Sequence, residues 1–161
     1  CSSTKTAYDY DKTVNFAAYK SYAFTEESED LGLDDLNTKR ILSAIETELM
    51  AKGFTKSNTP DVFVDVHLKT EEHVEATATS TGGAYRYGYY GGVGMSQTTI
   101  SYNEYTDGPL FISIVDAKTE TLAWQGVGTK TLEEGMSPER REQNINYAVK
   151  QILYNYPPKS K

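Results

Sequence analysis

The chain has 161 residues, 38% of them hydrophobic and 24% charged, the balance of one globular domain with a core of useful size. Sixteen Lys and Arg against 23 Asp and Glu give a net charge of −7. No basic cluster offsets it, which argues against a surface for phosphate backbones and so against nucleic acid as a partner. No apolar run reaches the roughly 18–20 residues that cross a bilayer as a helix.

In chain order, residues 1–6 read as a tether ahead of a single globular domain over 7–158, with 159–161 as a short tail. "TAYDYDKTV" alternates and predicts a strand with Tyr8 and Tyr10 on one side, extended to Lys12 if the alternation holds. "KSYAFT" predicts a second strand in which Tyr22 and Phe24 share a face. "EESEDLGLDD" packs six carboxylates into ten residues without the spacing of a calcium loop, and reads as a solvated acidic loop. Asp34 or Asp35 can cap a helix over about 36–53, whose stripe is Ile41, Leu42, Ile45 and Leu49. Gly53 then supplies a left-handed C′ residue, with Phe54 folding back onto Leu49.

"DVFVDVHLKTE" alternates strictly, with Val62, Val64, Val66 and Leu68 facing one way and Asp65, His67 and Lys69 the other, the pattern of a half-buried antiparallel strand. "HVEATATS" continues it, with Thr77 and Thr79 polar. A Gly- and Tyr-rich insert, 82–94, interrupts before "QTTISYNEY" resumes strand character. "PLFISIVDAKTETLAWQGVGTK" reads as two strands joined near Lys118–Glu120, the first apolar on both faces and so central in the sheet. Ser137 as cap and Pro138 at the first position open a helix over about 138–156. Its single face holds Ile145, Ala148, Val149, Ile152 and Tyr156, and Pro157–Pro158 stops it. The fold class is therefore α+β: an antiparallel or mixed sheet of about five to seven strands with both helices on one face. Its expected core includes Ile41, Ile45, Leu49, Val64, Val66, Ile112, Ile114, Trp124, Val149 and Ile152.

Few residues suggest chemistry. His67 and His73 lie six apart, which would put them on one face of a long strand beside Asp65 and Glu71, but a zinc site wants three converging ligands. "GMSQT" has Thr where a nucleophile elbow needs its second Gly, and the glycines of "GYYGGVGMSQ" miss both nucleotide-loop spacings. No catalytic residue, metal site or cofactor is read from the sequence. Trp124 could stack on a sugar, but it sits on a core hairpin beside Leu122, where burial is the simpler account. Tyr85, Tyr87, Tyr89 and Tyr90 in the insert pair apolar rings with hydroxyl tips and form a candidate binding surface, alongside the plain alternative of a functionless loop. Replacing Gly83–Val93 by a short turn should then leave folding intact.

The lone thiol, Cys1, precedes Ser2-Ser3-Thr4, as in a bacterial lipoprotein cut just before its lipid-modified cysteine. Two or more acyl chains there would give stable anchoring. The absence of other cysteines fits an oxidising periplasm, where no disulfide is then required.

The "YDYDKTVNFAAYKSYAF" opening, "RILSAIETELMAKGF", "TPDVFVDVHL", the insert, "PLFISIVDAKTETLAWQG" and "INYAVKQILYNYPP" together resemble a family of bacterial lipoproteins, domain of unknown function 4136, over about Ala7 to Pro158. The resemblance implies an envelope lipoprotein of unassigned activity and supplies no catalytic residues; inserts in that family are often richer in Trp. Ser2 after the cysteine points to outer-membrane sorting, and Lys5 ahead of the first acid, Asp9, favours the periplasm-facing leaflet over the cell surface. The expectation is a lipid-anchored binding or assembly module whose partners are the membrane, through its acyl chains, and an envelope protein or glycan. The alternatives are an enzyme acting on an envelope polymer and a spacer between outer membrane and cell wall.

Overall fold

The structure is a computed structural model that describes residues 4–31, 35–69, 71–73, 105–129 and 136–159; within 71–73 and 105–107 only the backbone is described. Strands β1 (Lys5–Tyr10), β2 (Ser21–Phe24), β3 (Thr55–Lys56), β4 (Val62–Leu68), β7 (Pro109–Asp116) and β8 (Leu122–Thr129) form one sheet in the order β1-β8-β7-β4-β2-β3. β5 (Glu71–His73) pairs with β6 (Tyr105–Asp107) in the register that joins β4 to β7: Leu68 lies opposite Leu110 and Glu71 opposite Asp107. Helices α1 (Asp35–Ala51) and α2 (Pro138–Ile152) complete the domain.

The sheet is mixed. Along β1, β8, β7 and β4 each strand runs antiparallel to the next, whereas β2 is parallel to both β4 and β3. The strict alternation of β4 suggested a purely antiparallel strand, but α1 crosses over between β2 and the strands that follow it, and such a crossover returns the chain parallel. β1 already includes Lys5 and Thr6, which pair with Thr129 and Gly128, and it stops at Tyr10. Lys12 lies beyond it, in a turn where the Asp11 carboxylate accepts from the Thr13 N–H at 2.8 Å.

Both helix stripes lie in one core with one face of the sheet. Ile41, Ile45 and Leu49 of α1 and Ile145, Val149 and Ile152 of α2 are buried with Val62, Val64, Val66, Ile112, Ile114 and Trp124. Leu42 sits at the margin, partly buried. The start of α2 and the end of α1 follow their sequence signals. The Arg140 N–H donates to Ser137 Oγ at 3.3 Å. Gly53 has φ +90°, and behind it the Phe54 N–H donates to the Leu49 carbonyl at 3.0 Å while the Gly53 N–H donates to Met50 at 3.0 Å, a Schellman closure. α2 ends three turns of its stripe at Ile152, and Leu153–Asn155 continue as a 3₁₀ turn that still delivers Tyr156 to the core.

Part of the acidic stretch is ordered rather than a solvated loop. Glu26–Glu29 form a 3₁₀ turn beside β4, just past the end of β2. Ser28, fully buried, donates from Oγ to the Val64 carbonyl at 3.3 Å and accepts from the Val66 N–H at 2.8 Å, so one hydroxyl stands in for a neighbouring strand. The segment is acidic because its other side chains face water, and it folds because Ser28 and Leu31 do not.

Candidate functional site

Three turns meet at one end of the sheet and form a cleft of about 390 Å³ lined by Asp11, Tyr19, Asp61, Asp116 and Lys118. Its carboxylates are already engaged. Asp61 Oδ2 accepts from the Lys20 and Ser21 N–H groups at 2.8 and 3.1 Å, tying the start of β2 to the start of β4. Asp116 Oδ1 accepts from the Lys118 and Thr119 N–H groups at 2.8 and 3.0 Å, shaping the β7–β8 turn, and its Oδ2 accepts from the Tyr19 hydroxyl at 2.7 Å.

These bonds favour the anions. The Tyr19 hydroxyl and the turn amides hold Asp116 below the usual carboxylate range, the Lys20 and Ser21 amides do the same for Asp61, and the Thr13 hydroxyl and amide for Asp11. Tyr19 moves the opposite way, raised first by burial and then by Asp116. A carboxylate held as an anion by backbone donors is the reverse of a carboxyl poised as a general acid. The arrangement builds turns.

Its consequence is acid sensitivity. Because the folded pKa values lie below the unfolded value of 3.8, the stabilisation is full above that pH and is lost as the pH falls through the lowered folded values. Asp61→Asn and Asp116→Asn should each reduce stability near neutrality and flatten its decline below about pH 4. Urea unfolding followed along a pH series measures both; an acid limb as steep as that of the wild type would remove these two carboxylates from the account.

The second feature is the side of the sheet away from the helices. No described element packs across it. Phe111 and Val127, opposite each other on β7 and β8, form one half-buried apolar patch, and Phe63 with Val115 on β4 and β7 forms another. Between them runs a polar row in which Gln125 Nε2 donates to Ser113 Oγ at 3.0 Å and the Thr25 hydroxyl donates to Asp65 Oδ1 at 2.8 Å.

Of the residues singled out from the sequence, His67 lies exposed on this open side, its ring centroid 6.5 Å from that of Phe111. His73 belongs to β5, and its side chain lies outside the described residues. Among the described residues no group of three or more His, Cys, Asp or Glu is placed to hold a metal ion. Trp124 is fully buried, although its neighbour Leu122 is 49% exposed. Cys1, Thr77, Thr79 and the insert tyrosines Tyr85, Tyr87, Tyr89 and Tyr90 lie outside the described residues, and of the strands expected over 73–80 and 97–105 only His73, at the end of β5, and Tyr105, at the start of β6, are described. Sequence reasoning missed the Asp11–Asp61–Asp116 cleft. Its members are far apart in the chain and carry no spacing signal.

The model of the family described as Domain of unknown function (DUF4136) matches residues 6–158. The chain belongs to that family. No curated protein matches it. Among solved structures, this family member resembles a PDZ domain protein from Parabacteroides distasonis with a TM-score of 0.58 and 18% identity; the match covers 97% of this chain but only 36% of that one. It also resembles PelC from Paraburkholderia phytofirmans, solved as a dodecamer, with a TM-score of 0.50 and 9% identity over 94% of this chain and 96% of that one. At such identities the likeness concerns the fold alone. No helix among the described residues is long and apolar enough to cross a membrane.

Proposed function

We propose that this domain is a non-catalytic binding or assembly module of the cell envelope, anchored in the outer membrane through acyl chains on Cys1 and facing the periplasm. The observation that carries the reading is the side of the sheet that no described element covers. A two-layer domain buries one face of its sheet under helices, and here the other face keeps the Phe111–Val127 and Phe63–Val115 patches on either side of a polar row. Paired apolar patches with hydrogen-bonding groups between them suit a protein partner, because rings and branched chains supply buried area and the polar row fixes register. The engaged carboxylates of the cleft point away from catalysis, and PelC, a protein of the same fold, is a dodecamer.

The test is photocrosslinking in cells, with the reactive side chain placed at Val127 on the open face or at Met50, 71% exposed on α1. Val127 should give discrete protein adducts and Met50 should not. Cys1→Ser should leave the membrane fraction and lose those adducts. Identical adducts from both positions, or none from Val127, would overturn the reading.

A further inference from the structure

The two edges of the sheet differ. At one, β3 is only two residues long, the common way of blunting an edge. At the other, β1 is six residues long, and all but Tyr10 are exposed. The Asp11 N–H donates to the Ala123 carbonyl at 2.9 Å and continues the β1–β8 register, so the odd-numbered residues of β1 bond to β8. The even-numbered residues therefore turn their N–H and C=O groups outward. Tyr10 confirms the parity: its N–H is capped at 2.9 Å by Asp9 Oδ1 instead of entering the ladder. Thr6 and Tyr8 are left with outward backbone groups that find no partner among the described residues.

From this edge we infer that β1 pairs antiparallel with β1 of a second copy of the chain, about a two-fold axis at Ala7. Only pairings that set even residues opposite even residues close hydrogen bonds, which leaves a few registers. In the one centred on Ala7, Thr6 meets Tyr8 of the other copy and Tyr8 meets its Thr6, closing both backbone pairs. Lys5 meets Asp9 of the other copy, twice by symmetry. Lys5 and Asp9 share the open side of the sheet with Ala7, and neither makes an ion pair within its own chain among the described residues. Shifting the centre to Thr6 or Tyr8 sets Ala7 against one of these charges and loses both complementary pairs. Opposite charges directly across an antiparallel pair are favourable, and Asp9 keeps Oδ2 free for the task. The closed two-fold contact joins two six-stranded sheets edge to edge, helices on one side and both open faces on the other.

The full chain carrying Cys1→Ser is the material for the test. Its mass in solution, measured by light scattering over a dilution series, should go from that of a monomer to that of a dimer and no further. At the axis the two Ala7 Cα atoms form a non-hydrogen-bonded pair about 4.5 Å apart, within the span of a disulfide. Ala7→Cys should thus crosslink the dimer under mild oxidation, while Asp9→Cys, which faces Lys5, should not. Lys5→Asp should weaken the dimer about tenfold, and adding Asp9→Lys should restore it. Thr6→Pro removes only an outward N–H, leaves the bonds to β8 in place, and should give a monomer. A chain that stays monomeric at every concentration overturns the inference. So does a dimer that survives Thr6→Pro, or one in which Ala7→Cys stays reduced, since either places the contact elsewhere. A dimer lost on Thr6→Pro while Val127 still gives its adducts would separate this contact from the open-face function.

Discussion

Replacing Trp124 with alanine is expected to lower the unfolding free energy by about 3–5 kcal/mol. Trp124 is fully buried on β8 and belongs to an aromatic cluster. Its ring centroid lies 5.1 Å from that of Tyr156 and 6.5 Å from that of Tyr8, while Tyr156 also meets Phe16 and Phe54 at 6.1 and 5.7 Å. The indole therefore links the edge strand β1, the central hairpin and the end of α2, and alanine would leave a void that three separate elements would have to fill. One feature limits the loss. Neither Trp124 Nε1 nor the Tyr156 hydroxyl has a hydrogen-bond partner among the described residues, so the native site already bears the cost of unpaired buried polar groups. Trp124→Phe keeps most of the ring, removes the orphaned N–H, and should cost less than about 1.5 kcal/mol. Denaturant unfolding of the two variants separates packing from polar burial; equal losses would mean that the indole N–H is paired after all.

The parts of this fold that could be read from sequence are those whose signal is local. Ser137-Pro138 marks the start of α2 because a hydroxyl can accept the Arg140 N–H and proline needs no donor there, and Gly53-Phe54 marks the end of α1 because only a left-handed residue completes the two closing bonds. All ten residues expected in the core are buried, because alternation and helical periodicity report burial directly. What could not be read depends on which strand lies beside which. β1 is an edge because it pairs with β8, more than a hundred residues later, and nothing within "KTAYDY" announces that partner. The same holds for Ser28, whose neighbours in sequence are acidic and exposed while its hydrogen bonds go to β4. The open face was half legible: His67 and Asp65 could be assigned to a polar side, but Phe111 and Val127 join it only once the β4–β7–β8 registers are known. The acidic cleft was not legible at all, since Asp61 and Asp116 find donors at Lys20, Ser21 and Tyr19, far away in the chain, and the meeting of the three aspartates is a product of the topology.

Gly126→Val should also destabilise the fold, for the opposite reason. Gly126 lies two residues after Trp124 on β8, on the helix-facing side of the sheet, where the sequence alternation would ordinarily call for a branched apolar residue. The position that a Cβ would take is already occupied: the Trp124 ring lies across it, and Ile152 Cγ2 of α2 would be 2.9 Å away. Glycine here lets the indole lie flat along its own strand and lets α2 come down close to the sheet. Valine favours strands by up to about 1 kcal/mol, but overpacking a closed core typically costs about 1–3 kcal/mol. Neither the ring nor Ile152, both fully or nearly fully buried, has free space to retreat into, so the net effect should be destabilising. The double variant makes the mechanism testable. In Trp124→Ala the space over residue 126 is vacated, and valine there should fill part of the void. Gly126→Val with Trp124→Ala should then be more stable than the sum of the single losses predicts, by about 0.5–3 kcal/mol, the range seen for residues in direct contact. Strict additivity in a four-way unfolding cycle would show that the two sites do not share that space, and that the close approach of α2 to β8 is set by Ile152 alone.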